Sequence, residues 1–193
     1  MPKDPDSAGV ARRPGPTDRL FFALYPDDAG AAAMTALAAG LRQELGLRGR
    51  AIAPGRLHVT LHHLGDHAGL PGEVVDAARQ AAARIEWPPV ALSFDRVASF
   101  TRRRVNRPFV LLGQELPEVR ALHARLAEVL ASAGLGGYLE KRFTPHVTLL
   151  YDDHAVPERP VAPVGWVSRE LVLVHSLIGR GLHRPLGRWS LRG

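Results

Sequence analysis

Leu57-His58-Val59-Thr60-Leu61 alternates apolar and polar residues with a period of two, and Pro145-His146-Val147-Thr148-Leu149 repeats the pattern in the second half of the chain. That alternation is the signature of a strand with one face in a core. It predicts that His58 and Thr60 share one face, as do His146 and Thr148, while Val59, Leu61, Val147 and Leu149 point inward. By the same rule His62 shares the face of His58, and His63 falls on the opposite side. Two imidazoles and two hydroxyls presented from rigid strands are the parts of a metal-free phosphoryl-transfer site. One base, one acid and two hydroxyl donors for non-bridging oxygens are available.

Working outward, Arg19 to Tyr25 is apolar and aromatic and reads as a buried strand. Asp27 or Asp28 caps an Ala- and Leu-rich helix that runs to about Leu45, with Gly46 as the stop. Pro54-Gly55 is a turn, and the first motif strand runs from Leu57 to Leu64, ending at Gly65. A helix is predicted from Gly72 to Ile85, strands over Val90–Phe100 and Pro108–Leu112 around a basic turn at Arg102-Arg103-Arg104, and a helix from Leu116 to Ala133. The second motif strand reaches Tyr151. A polar loop with Pro157, Pro160 and Pro163 follows, then strands at Leu171–Ile178 and Gly187–Leu191.

Strands and helices mix without the regular alternation of a parallel doubly wound sheet, which argues for an α+β fold with mostly antiparallel pairing. Each motif follows a helix and a turn. An internal duplication would give two lobes, hence two mostly antiparallel sheets with helices outside and a central cleft carrying both His-x-Thr motifs. Residues 1–17 hold four prolines and no hydrophobic period, so a disordered tail is expected, followed by one domain over 18–193.

At 46% hydrophobic residues the chain can bury a substantial core without staples. The absence of cysteine excludes disulfides, thiolate catalysis and Cys-ligated metals. No apolar run approaches a membrane span and the N-terminus lacks a secretory layout, so a monomer in the cytoplasm is expected. The net charge of +6, carried almost wholly by arginine, suits a polyanionic partner.

Three segments carry a resemblance: Arg19-Leu20-Phe21-Phe22-Ala23-Leu24, Leu57 to Leu61 with Leu64-Gly65, and Phe143-Thr144-Pro145-His146-Val147-Thr148-Leu149. With the closing Trp189-Ser190-Leu191, they are similar to the 2H phosphoesterase superfamily, and within it to the bacterial RNA 2′,3′-cyclic phosphodiesterases, also called 2′-5′ RNA ligases. The resemblance implies a bilobal fold whose motifs face each other across a cleft, with no metal and no cofactor. It implies hydrolysis of RNA 2′,3′-cyclic phosphate ends to 2′-phosphates, with 2′-5′ ligation as the reverse reaction. His146 is assigned as base and His58 as acid, an order the sequence does not dictate. Two departures stand out. Tyr151 occupies a position where the branch commonly has arginine, and His62-His63 replace a small and an aromatic residue.

Beyond His58, His146, Thr60 and Thr148, the candidate substrate contacts are Arg56 and Arg142 just before the motif strands, and Arg103 in the basic turn. Tyr25 and Tyr151 are candidates for stacking on a base, and His62 for lining the pocket. His67, His123, His154 and His183 read as surface or loop residues. The partners expected are RNA ends or nucleotide 2′,3′-cyclic phosphates. The alternatives are a phosphodiesterase for small cyclic nucleotides and a non-catalytic RNA-binding protein that keeps the fold. A metal site on His58, His62 and His63 is disfavoured, because alternation splits the three.

Overall fold

Among the described residues eight stretches become strands: β1 (Asp18–Leu24), β2 (Val59–His67), β3 (Val90–Ser99), β4 (Arg107–Leu112), β5 (His146–Asp152), β6 (Arg159–Ser168), β7 (Glu170–Leu177) and β8 (Leu182–Ser190). The helices are α1 (Asp28–Glu44), α2 (Gly72–Ala82) and α3 (Pro117–Leu130). The computed structural model describes residues 15–113, 116–140 and 142–192, so most of the expected tail lies outside the described residues. Thr17 does not belong to that tail: its N–H donates to the His67 carbonyl and its own carbonyl accepts from Ile178. No helix among the described residues is long and apolar enough to cross a membrane.

The strands form one sheet in the order β6-β3-β4-β5-β2-β1-β7-β8, with antiparallel neighbours throughout. This corrects the expectation of two sheets. The motif strands β2 and β5 lie side by side in the middle and join two four-stranded halves. The join is one residue pair, Val59 with Val147. Beyond it the strands diverge, and a strap of residues 48–52 takes the place of β2 against β5. Ala51 bridges Leu150, Ile52 N–H donates to the Leu149 carbonyl at 2.7 Å, and the Asp152 carboxylate accepts from the backbone of Arg48 and Gly49. A Cβ on Gly49 would lie 1.9 Å from the Tyr151 carbonyl, so the strap closes only with glycine there.

All three helices cover the same face of the sheet. Asp27 caps α1 through its carboxylate, which accepts from Gly30 N–H at 2.7 Å. Met34, Ala38 and Leu41 of α1, Val75 and Ala78 of α2, and Leu122, Leu126 and Val129 of α3 recur at helical spacing. They join Leu20, Phe22, Leu24, Val59 and Val147 in one core. The opposite face has its own small apolar cluster of Phe21, Ala23, Val172 and Val174, packed against Tyr25. The expected polar loop after Asp152 is mostly the strand β6. Its prolines are tolerated because it is an edge strand, where a missing N–H leaves the ladder intact on the paired side.

Three of the sheet's register shifts, each a one-residue bulge, set which way the side chains near the motifs face. In β2, Thr60 pairs with Ala23 and His62 with Phe22, which leaves Leu61 as the extra residue. In β5, Thr148 pairs with Val110 and Leu150 with Phe109, leaving Leu149. In β8, Pro185 pairs with Val174 and Gly187 with Leu173, leaving Leu186. A bulge shifts the alternation by one residue, so side chains beyond it change face.

Candidate active site

The two motif bulges fall at equivalent positions, immediately after each threonine. With Val59 paired to Val147, the antiparallel register carried one step either way sets His58 opposite Thr148 and Thr60 opposite His146. Both valines point into the helix-side core. The four polar side chains therefore gather on the helix-free face, around an approximate two-fold axis through the valine pair.

The equivalence extends to the hydrogen bonds. His58 Nδ1–H donates to the Arg56 carbonyl at 2.7 Å, and His146 Nδ1–H donates to the Thr144 carbonyl at 2.7 Å. Each imidazole is thus tied by the carbonyl two residues upstream, which fixes the Nδ1–H tautomer and leaves Nε2 for chemistry. The Thr60 hydroxyl lies 3.1 Å from His58 Nε2 and can donate to it. Phe21 stacks on the His58 ring with centroids 4.9 Å apart, and Phe100 meets the His146 ring edge-on at 4.9 Å.

Burial pushes the His58 imidazole down to about 4, against the Arg56 carbonyl, which holds it up. The charges of His146 and Arg56 act in the same direction as burial. His146 is likewise lowered by burial, opposed by the Thr144 carbonyl. Both rings are therefore neutral near neutral pH.

Of the other candidates, Arg56 and Tyr25 lie beside His58. Arg56 Nε is buried with no hydrogen-bond partner among the described residues, and the guanidinium charge lowers both His58 and His183. The Tyr25 ring is 5.7 Å from that of His58, and burial raises its hydroxyl to about 12. Tyr151 is exposed on β5 and borders a separate hollow of about 690 Å³ with Arg48, Asn106 and Asp152. Arg142 is exposed in the segment leading to β5, and Arg103 is exposed in the turn between β3 and β4.

His62 does not share the face of His58. The Leu61 bulge turns it to the helix side, where it is buried, donates from Nε2–H to the His123 carbonyl at 2.9 Å and stacks on the His123 ring at 4.0 Å. His63 is turned the other way, opposite Phe21, and binds Asp66, which in turn takes a two-pronged contact from Arg19. Among the described residues, no three His, Asp or Glu side chains converge on one point.

Two histidines that read as surface residues are not. His123 is sandwiched between His62 and Phe143, with ring centroids 4.0 Å apart on each side, and burial lowers it to about 4. His183 on β8 lies edge-on to His58 at 5.2 Å, its Nδ1 3.0 Å from the Tyr25 hydroxyl, and burial also lowers it to about 4. Pro185 two residues on makes this stretch look like a loop, and only the strand partner at Leu171–Ile178 hints otherwise.

Compared with known proteins, residues 20–171 match the sequence model of the 2′-5′ RNA ligase superfamily. The chain belongs to that superfamily. It is a 2H phosphoesterase, and the crystal structures similar to it agree. Escherichia coli LigT complexed with ATP is 29% identical, covering 92% of this chain and 99% of its own, with a TM-score of 0.68. The same enzyme complexed with 3′-AMP is 29% identical with the same coverages and a TM-score of 0.69. A Thermus thermophilus protein shares the fold at a TM-score of 0.73 with 21% identity, covering 91% of this chain and 98% of its own. No curated protein sequence matches. As a 2H phosphoesterase, the chain has the α+β architecture of this family, built among the described residues on one antiparallel sheet and three α-helices.

Proposed function

We propose that this 2H phosphoesterase opens 2′,3′-cyclic phosphates to 2′-phosphates, on RNA ends or nucleotides, without a metal. The observation that carries this reading is the paired set of imidazole, hydroxyl and upstream carbonyl around the Val59–Val147 pair. One neutral imidazole takes a proton from water as the water oxygen bonds to phosphorus. The bond from phosphorus to the 3′ oxygen breaks, and the other imidazole, protonated, gives its proton to that oxygen. The Thr60 and Thr148 hydroxyls hold the non-bridging oxygens, where charge builds in the transition state.

His58 serves as the acid and His146 as the base. Tyr25, His183 and Phe21 crowd His58 on the side where a nucleoside would sit, while the ring at His146 is that of Phe100. The bound phosphate anion lifts both imidazoles from their low values, so that the pair retains one proton. Arg56, with its partnerless buried Nε, contributes the fixed positive charge. In the reverse ligation the two histidines exchange roles.

The test is turnover of a 2′,3′-cyclic-phosphate oligonucleotide and of 2′,3′-cyclic AMP, in EDTA, by the wild type, His58→Ala and His146→Ala. The wild type is expected to yield 2′-phosphates unaffected by chelation, and each variant to lose about 10²-fold or more. Activity retained in either variant rejects the acid and base roles of the pair. Soluble variants that bind RNA, from a wild type that turns over neither substrate, would favour the non-catalytic alternative.

A further inference from the structure

The two motif histidines are tied by equivalent carbonyls, but those carbonyls are held by unlike means. The Arg56 carbonyl, which fixes His58, ends a short 3-10 turn over Pro54–Arg56 that its own backbone staples. Arg56 N–H donates to the Ala53 carbonyl at 2.8 Å, and Leu57 N–H donates to the Pro54 carbonyl at 3.1 Å. The Thr144 carbonyl, which fixes His146, lies in a segment over residues 142–145 that is neither helix nor strand. At the position equivalent to Leu57 stands Pro145, which has no N–H with which to close the same bond.

What grips this segment is α3. The Arg120 guanidinium donates to the Phe143 carbonyl at 3.0 Å, one residue before Thr144. Three residues on, the His123 ring lies flat on the Phe143 ring, with centroids 4.0 Å apart and planes 3° apart. Its other face is covered by the His62 ring of β2, again at 4.0 Å, and His62 Nε2–H donates to the His123 carbonyl at 2.9 Å. Burial keeps His123 uncharged near neutrality, so its ring stacks between the other two beside the Arg120 charge. The brace thus runs from the strand of the first motif, through α3, to the residue next to the one that orients the second histidine. We propose that Arg120 and His123 are positioning residues for His146: they hold Phe143-Thr144 so that the Thr144 carbonyl selects the Nδ1–H tautomer and leaves Nε2 free. Both act from the helix side of the sheet, away from the face that carries the motif side chains. The effect on turnover rests on the phosphodiesterase reading above, because a base must meet the water with an unprotonated Nε2.

The experiment takes the wild type, His123→Ala, His123→Phe and Arg120→Leu. It records nitrogen–proton NMR spectra of the imidazoles near neutral pH, and kcat and KM on 2′,3′-cyclic AMP. In the wild type, His58 and His146 are each expected as a single Nδ1–H tautomer. In His123→Ala and Arg120→Leu, His146 is expected to become a mixture of tautomers, while His58, on its own turn, keeps its signature. Their kcat is expected to fall roughly 10- to 100-fold with KM little changed, the cost of a misplaced reacting group. His123→Phe, which keeps a ring against Phe143, is expected to restore both the tautomer and kcat. Arg120 is exposed on α3, so Arg120→Leu serves if His123→Ala fails to fold. A mixed His146 tautomer in the wild type, an unchanged one in the folded variants, a His58 altered as much as His146, or a loss confined to KM overturns the proposal. The spectra need no turnover. If the wild type hydrolyses no cyclic phosphate, the phosphodiesterase reading falls, and the His146 tautomer still upholds or overturns the positioning.

Discussion

Raising the pH from 6.5 to 8.5 is expected to lower kcat/KM on 2′,3′-cyclic AMP by about 100-fold. On the proposed mechanism, the free enzyme is productive when its two motif histidines hold one proton between them. Its kcat/KM therefore follows a bell bounded by the two values of the pair. Burial sets one of these at about 4 and holds the other below the ordinary 6.5. The sign follows from the direction of the shift. An imidazole that resists charging loses its proton before neutrality, so the alkaline limb begins below 6.5. Beyond it the productive fraction falls about tenfold per unit, so two units remove about 2.7 kcal/mol of transition-state stabilisation. The cyclic phosphodiester keeps its single negative charge over this range and adds no limb of its own. The assay is initial rate at substrate well below KM, at constant ionic strength, together with imidazole NMR titration of the free protein. A plateau extending past neutrality, or a maximum on the alkaline side, refutes the burial argument.

Stability carries the same signature. His58, His62, His123, His146 and His183 are all lowered by burial, so the unfolded chain binds more protons than the folded one between about 4 and 6.5. Stability is then full above the unfolded value and is lost as the pH falls through this window. His123→Phe, which keeps a ring between His62 and Phe143, is expected to reduce the slope of unfolding free energy near pH 5.5 by roughly 1 kcal/mol per pH unit. Equal slopes in urea titrations of the two proteins would contradict it. Thr148→Val is expected to cost about 10²-fold in kcat with KM changed only a few-fold, and Thr60→Val to match it by the two-fold relation. A Thr148→Val enzyme with wild-type kcat removes the hydroxyl from the mechanism.

The parts of this fold legible in the sequence are those with a local apolar pattern, a buried run or a regular spacing. β1, β2, β5 and β7 and all three helices follow from apolar spacing, and Asp27 and Gly46 mark the ends of α1. The misses have one physical origin: local exceptions that only tertiary pairing reveals. The prolines of β6 read as a loop because nothing local says that this strand sits at an edge. Alternation puts His62 and His63 on each other's faces because a bulge at Leu61 leaves no mark in the residue types around it. Within the motifs, alternation before the bulge holds, which is why His58, Thr60, His146 and Thr148 come together while His62 does not. Tyr25 is legible as an aromatic at a strand end. His183 is not, because its role depends on a strand partner that brings it to the His58 ring.

The single rung between Val59 and Val147 has a mechanical consequence. Each half of the sheet carries one imidazole, one hydroxyl and one tethering carbonyl, and on the proposed mechanism the gap spanned by an in-line displacement depends on how the two halves are angled about that rung. On that mechanism the spacing of the two Nε2 atoms follows the backbone twist at the rung. Evolution can retune it by altering the strap at residues 48–52, without touching a residue that meets the phosphorus.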